Sequence, residues 1–318
     1  MRVLIFLVLL AAAGGGAWYW WKHHQTASAL DNPFDPTNPI VAPAADLPAD
    51  AKKAMDEADT LWSQAGADAP RAPNAPRMAK LYSQVLLAMY GLPGGHDAEA
   101  TLLRDRLTPL GEALFFSKAK WPNDDSGLMG VHSVSPGENP DAIARSYGMS
   151  RELLNRLRGK DVNSADLRSG ETIKVIKIKD AGGNLIEVDL SDYTLDLYIG
   201  GVFAKRYTIA HGAAESPTPI GTTQITNRVW HPQWTHPTNK KVLSYGDPEN
   251  ILGPIWLAFD AKLLGASSIG IHGYTGIDGK MQAQVSNGCI RMQNQDAEEL
   301  FQLIANPDRA QTAVTIRP

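Results

Sequence analysis

From about residue 184 onward the apolar residues stop recurring every three or four positions and begin to alternate. No other feature of this chain constrains its fold as much. Ile186, Val188 and Leu190 alternate with polar neighbours, as do Leu195, Leu197 and Ile199. Successive side chains of a strand point to opposite faces, so a period of two marks a half-buried strand. Gly200-Gly201 supplies the backbone freedom of a tight turn and predicts a hairpin into Val202–Ile209. Gly- and Pro-punctuated segments follow, and a helical period returns only at Gln295–Ile304. The expectation for 184–318 is a mostly-β domain, a β-sandwich or barrel-like, with one late helix.

The remainder has different textures, and 318 residues exceed one average domain. Val3–Trp21 carries no charge and is flanked by Arg2 and Lys22. As a helix it would span about 28 Å, against a hydrocarbon thickness of about 30 Å. Trp18-Tyr19-Trp20-Trp21 has the character of an interfacial aromatic belt and favours a retained anchor; Ala11-Ala12-Ala13 offers the small residues of a cleaved signal peptide. Residues 1–24 are therefore expected to be a transmembrane anchor or signal peptide. The N-terminus then faces the cytoplasm and the bulk of the chain is periplasmic or otherwise extracytoplasmic, held at the inner membrane. Residues 25–49, rich in Pro, Ala, Asp and Asn, read as an extended linker.

Residues 50–120 read as a helical segment. Ala54, Ala58, Leu61 and Trp62 make one apolar face, and Leu81, Val85, Ala88 and Met89 repeat the pattern. Leu103, Leu107 and Leu110 continue it to a break expected near Pro109, while Pro70, Pro73 and Pro76 separate the first helix from the second. A small spacer or docking module is the expectation. Residues 131–178 then read as strand, two short helices and strand. Val131-His132-Ser133-Val134 ends at Pro136-Gly137, Asn139 and Ser150 fit N-caps, Gly148 and Gly159 fit helix stops, and Thr172–Ile176 closes the unit.

This segment resembles the LysM module. The likeness is carried by His132-Ser133-Val134-Ser135-Pro136-Gly137-Glu138, by Ala142-Ile143-Ala144 with Tyr147-Gly148, and by Leu167-Arg168-Ser169-Gly170-Glu171. It implies a small α+β module that binds N-acetylglucosamine-containing glycan strands.

A formal charge of -4 with no Lys/Arg block gives no electrostatic case for nucleic acid. The lone Cys289 excludes an internal disulfide and a multi-thiolate zinc site. His231, His236, His272 and Cys289 match no zinc spacing, so neither metal nor cofactor is expected. The informative stretch is Ile271-His272-Gly273, followed by Val285-Ser286-Asn287-Gly288-Cys289-Ile290-Arg291-Met292. An imidazole that takes the thiol proton yields a thiolate–imidazolium pair, a strong nucleophile. Gly288 lets the chain turn and a substrate approach, making the N–H groups of Gly288 and Cys289 candidates for an oxyanion hole. The Gly273 carbonyl is a candidate to fix the His272 tautomer. Ser286 reads as a loop-shaping hydroxyl, and Arg291 as a loop brace or a carboxylate ligand.

These residues resemble the active-site motif of the L,D-transpeptidase catalytic domain. Upstream pieces agree in order: Ser216-Pro217-Thr218-Pro219-Ile220-Gly221, His231-Pro232-Gln233-Trp234-Thr235 and Asn250-Ile251-Leu252-Gly253. Asn287 stands where many members carry a second histidine. The resemblance implies a cysteine acyltransferase acting on peptidoglycan stem peptides. Cys289 attacks the L-centre carbonyl before the terminal D-Ala of a tetrapeptide, and His272 serves as base and acid. The acyl group then passes to an amine, or to water in an L,D-carboxypeptidase. A catalytically inactive wall-binding scaffold is the alternative.

Overall fold

A computed structural model describes residues 47–90, 92, 97–236, 238–276 and 280–318. The expected membrane segment and nearly all of the linker lie outside the described residues, among which no helix is long and apolar enough to cross a membrane.

Three helices come first: α1 (Ala49–Ala65), α2 (Ala75–Met89) and α3 (Asp97–Phe115), with a short 3-10 turn at Gly66–Arg71. Ala51, Ala54, Met55, Ala58 and Trp62 form the buried stripe of α1, at the spacing of one helical face. The break expected near Pro109 does not occur, because α3 runs through Pro109 to Phe115. A proline inside a helix costs roughly 3 kcal/mol. Beyond it, Leu110, Leu114 and Phe115 are fully buried, and their packing offsets that cost.

The helices are also no detached spacer, for they lie against the β-domain. Ser83 Oγ accepts the Phe203 N–H at 2.9 Å. Asp196, only 1% exposed, is clasped by Arg206 at 2.6 Å, Arg104 at 3.1 Å and the Tyr90 hydroxyl.

Next, β1 (Met129–Ser133), α4 (Pro140–Tyr147), α5 (Arg151–Arg158) and β2 (Thr172–Ile176) form a unit whose strands pair antiparallel, Met129 opposite Ile176. Its caps are local chemistry: Asn139 accepts from the Ala142 N–H and Ser150 from the Leu153 N–H, while Gly148 and Gly159 end the helices in left-handed conformation.

Eleven strands make up the remainder: β3 (Asn184–Asp189), β4 (Thr194–Ile199), β5 (Val202–Gly212), β6 (Gly221–Trp230), β7 (Trp234–Thr235), β8 (Val242–Leu243), β9 (Ile255–Phe259), β10 (Gly270–His272), β11 (Gln284–Ser286), β12 (Ile290–Met292) and β13 (Thr312–Arg317). Strands β5-β12-β10-β9-β6-β13-β3-β4 are hydrogen-bonded in that order, and β4 pairs back onto β5. The sheet therefore closes, and of the two architectures expected it is the barrel. Closure leaves no free edge in this ring.

Ile186, Val188, Leu195, Leu197, Ile209, Leu257, Ile271, Ile290, Val314 and Ile316 are buried in its core. Two helices interrupt the strands, the one-turn α6 (Ala261–Leu264) and the expected late helix α7 (Asn294–Leu303). Against α7 sits the β1–β2 unit, through Arg156 to Gln302 at 2.9 Å and to Glu299 at 3.1 Å.

Candidate active site

Strand register brings the site together. β10 runs parallel to β12, with Ile271 opposite Ile290 and His272 opposite Arg291; β10 also pairs with β9, His272 opposite Trp256. β6 continues the row, Val229 opposite Trp256. Because faces alternate along a strand, Ile271 and Ile290 enter the core while their neighbours share the other face. Val229, Trp256, His272 and Arg291 form one row across four strands, and all four line a cleft of about 610 Å³. Cys289 lies two residues before Arg291, which puts it on the same face, in the same cleft. The Gly270 N–H hydrogen-bonds to the thiol.

The cleft's other walls are loops. Pro232–Thr235 covers one side, where β7 and β8 pair as a small antiparallel flap. Asn250 holds the base of that flap, donating to the carbonyls of Pro232 at 3.0 Å and Leu243 at 3.2 Å. Ser267, Ser268, Ile269, Ser286 and Asn287 complete the rim.

His272 is buried, and its Nδ1 donates to the Gly273 carbonyl at 2.7 Å. That bond places the proton on Nδ1 and leaves Nε2 bare to act as a base. Position 273 has no room for a side chain: a Cβ there would collide with Asn294 Oδ1 and stand 2.6 Å from Pro254 Cδ.

Cys289 is half-buried, and its Sγ donates to the Ser268 carbonyl at 3.6 Å. Burial pulls the His272 imidazole down to about 4, and the Arg291 guanidinium acts in the same direction; the carbonyls of Gly273 and Leu252 oppose both. Burial pushes the Cys289 thiol up, against the Gly270 N–H and the Arg291 charge. The resting pair is thus a neutral thiol and a neutral imidazole. Desolvation disfavours the charged form of each group, so burial favours the neutral forms over a thiolate–imidazolium pair.

The loop carrying Cys289 is held from below by hydroxyls. Ser286 Oγ donates to the Cys289 carbonyl at 2.6 Å. Ser216 Oγ donates to the Ser286 carbonyl at 3.0 Å, and Thr218 Oγ1 to the Gly288 carbonyl at 2.9 Å. Gly288 has φ +99°, in the region that favours glycine, and a Cβ there would meet Ile269 Cδ1 at 2.9 Å.

Arg291 is buried and donates to the Val285 carbonyl at 3.4 Å, which makes it a brace of the same loop as well as a cleft wall. Asn287 is exposed at the rim. His211 does not line the cleft; it is buried against Tyr193 and bonded to the Leu190 carbonyl at 3.0 Å. His231 also stands outside it, stacked on Tyr245 with ring centroids 3.9 Å apart. Sequence reasoning missed Ser268, which no motif marks. Thr218 and Ser216 stand in an upstream motif, and nothing local in the sequence marks their reach to the loop that carries Cys289.

Residues 183–316 match the sequence profile of the L,D-transpeptidase catalytic domain, YkuD. A Bacillus licheniformis protein that carries the provisional name L,D-transpeptidase YkuD is 31% identical over 181 residues, which cover 56% of this chain and 96% of that protein. The chain belongs to the L,D-transpeptidase family. A second relative, provisionally named L,D-transpeptidase YqjB, from Bacillus subtilis, is 38% identical over 110 residues; the match spans 35% of this chain and only 57% of that protein. Among solved structures, an Enterococcus faecium L,D-transpeptidase mutant is 20% identical, with 53% of this chain and 63% of that one covered and a TM-score of 0.34. The barrel rests instead on its own strand pairing. The family match runs from the start of β3 almost to the end of β13, so the whole barrel lies within it and the helical layer and the β1–β2 unit lie before it.

Proposed function

We propose that this chain transfers acyl groups at the L,D peptide bond of peptidoglycan stems, with Cys289 as nucleophile and His272 as general base and acid. The observation that carries the reading is the register that sets His272 beside Arg291 on two paired strands, with Cys289 just before the second strand and lining the same cleft. The donor's carbonyl enters beside Cys289. As the sulfur–carbon bond forms, the thiol proton passes to His272 Nε2 and the carbonyl oxygen takes up negative charge. N–H groups of Gly288 and Cys289 receive that oxyanion, each such donor contributing about 2.7–4 kcal/mol. Arg291, whose charge opposes the upward push on the thiol, favours the same negative charge. Collapse of the intermediate breaks the carbon–nitrogen bond. D-Ala leaves with the proton from His272, and a thioester remains.

An acceptor amine then attacks the thioester, His272 takes its proton, and the sulfur leaves and is reprotonated. Proton traffic through an initially neutral pair suits a buried site, since charge exists only while substrate groups are present to stabilise it. Asn287 at the rim supplies an amide donor where many relatives have histidine. The β1–β2 unit is read as a LysM-like glycan-binding module that keeps the barrel on its polymer, and retention on chitin beads checks it. Residues 1–24 are read as the membrane anchor, checked by resistance of the full chain to alkaline extraction from membranes.

Incubation with a tetrapeptide stem, followed by product analysis, tests the reaction. Release of D-Ala with formation of a crosslinked or hydrolysed stem is expected. Intact-mass measurement with a carbapenem tests the nucleophile, since its strained amide mimics the donor carbonyl. One covalent adduct is expected, and none in Cys289→Ala. An adduct that persists in that variant removes Cys289 from the role.

A further inference from the structure

One hydroxyl beneath the site is engaged in a way that neither its burial nor its position in a turn requires. Thr218 is buried, 3% exposed, in the segment that links β5 to β6. Its Oγ1 accepts the Gly212 N–H at 2.9 Å and donates to the Gly288 carbonyl at 2.9 Å. Both bonds are of ordinary hydrogen-bond length and both partners are backbone, so the hydroxyl is fixed in direction as well as place. Thr218 does not line the cleft, whereas Cys289 does.

The Gly288 carbonyl belongs to the peptide unit that also contains the Cys289 N–H. There is no cis peptide in the described chain, so carbonyl and N–H point in opposite directions from one rigid plane. A donor that fixes the carbonyl on the side away from the cleft therefore fixes the N–H toward it. Gly288, at φ +99°, gives that plane a freedom that most residues lack, and the plane needs an external restraint. Ser286 restrains the next peptide by donating to the Cys289 carbonyl. Gly212 in turn ties Thr218 to the end of β5, and β5 is paired in the barrel through β12.

We propose that Thr218 is a positioning residue for the oxyanion hole: by holding the Gly288 carbonyl from behind, it aims the Cys289 N–H at the oxygen of the reacting carbonyl. This rests on the reading of Cys289 as the acyl-accepting nucleophile. The effect is confined to steps in which a carbonyl oxygen gains charge. Acylation of Cys289 passes through such a species, whereas alkylation by iodoacetamide displaces iodide at a saturated carbon and develops no oxyanion.

The experiment compares the two reactions in the full-length protein, wild type against Thr218→Val and Thr218→Ser, each checked for fold by circular dichroism. Outright loss of one oxyanion donor lowers kcat about 10²–10³-fold, and a misdirected donor loses less. Carbapenem acylation of Thr218→Val is expected to slow about ten- to a hundredfold, with alkylation unchanged within about twofold. Thr218→Ser, which keeps the hydroxyl, is expected to restore acylation. With the stem substrate, kcat falls and KM holds.

Equal slowing of both reactions overturns the proposal, because it means that Thr218 merely supports the thiol. Unslowed acylation in Thr218→Val overturns it as well. If Thr218→Val does not fold, Thr218→Ala carries the same comparison. A wild-type protein whose Cys289 alkylates but accepts no acyl group overturns the nucleophile reading itself and the proposal with it, an outcome distinct from a Thr218 variant that acylates normally.

Discussion

Two of the clusters of buried ionisable groups among the described residues are built on opposite plans. Between the helical layer and the barrel, the Asp196 carboxylate takes a bidentate grip from Arg206 at 2.6 and 2.9 Å, with Arg104 and Tyr90 filling its other positions. Every donor there faces an acceptor of fitting charge, and burial beside the carboxylate pushes the Tyr90 hydroxyl up to about 12. In the cleft, the partners of His272 and Cys289 are backbone groups, carbonyls and the Gly270 N–H, with no carboxylate among the described residues that act on them. The charge that acts on the imidazole there, Arg291, carries the same sign as its protonated form. The first cluster holds permanent charges that fix one layer on another. The second keeps its groups neutral and movable until a substrate arrives. A buried charge must be paired or given up, and the two sites take the two options.

Substitution at the two sites should break different properties. His272→Ala is expected to lower turnover by about 10²–10⁴-fold, the range of a positioned base, measured as D-Ala release. Its urea midpoint should move less than that of Asp196→Ala. Asp196→Ala leaves two arginines facing an empty acceptor site. It is expected to cost about 3 kcal/mol of stability, read from urea unfolding, at the low end for a broken buried pair because Arg206 is partly exposed. Below its unfolding transition the same variant should turn over substrate at nearly the normal rate. A loss of turnover in Asp196→Ala out of proportion to unfolding would show that the helical layer reaches the chemistry, and the contrast between the sites would fail.

What the sequence revealed of these sites follows the range of the interactions. Asn139, Gly148, Ser150 and Gly159 were legible because caps satisfy backbone groups within a few residues. The strand period from Ile186 to Ile199 was legible for the same reason, since alternation is local. His272 and Cys289 stood out by motif, but the pairing of Ile271 with Ile290 that joins them is a tertiary fact. So is the closure of β4 onto β5, which decided barrel over sandwich. Pro109 misled because a local rule met a packed surface, where Leu110 and Leu114 outweigh one lost hydrogen bond. Thr218 lies 70 residues from the carbonyl it holds, and no composition or period foretells that contact. The charge state of Cys289 and His272 was hidden for a further reason. It depends on burial, and the motif is the same whether the imidazole is wet or dry.

That charge state yields the smallest effect and the sharpest one. A preformed thiolate–imidazolium pair would alkylate quickly at pH 6 and show a plateau through neutrality, because its thiolate is present well below the ordinary thiol range. Here the His272 imidazole sits at about 4 and the Cys289 thiol is raised, so between those limits both groups are neutral. Iodoacetamide should then react slowly at pH 6 and ever faster as pH rises through the alkaline range, without a plateau between pH 5 and 8. In His272→Ala the rise should keep nearly the same shape, since an already neutral imidazole contributes no charge to lose. Acylation, by contrast, needs His272 as a proton acceptor. Its acid limb should therefore lie near pH 4, below the ordinary histidine range, because only protonation of the imidazole stops it. A fast plateau at pH 6 that vanishes in His272→Ala would mean that the free site already holds separated charge. The cleft would then follow the same plan as the Asp196 cluster.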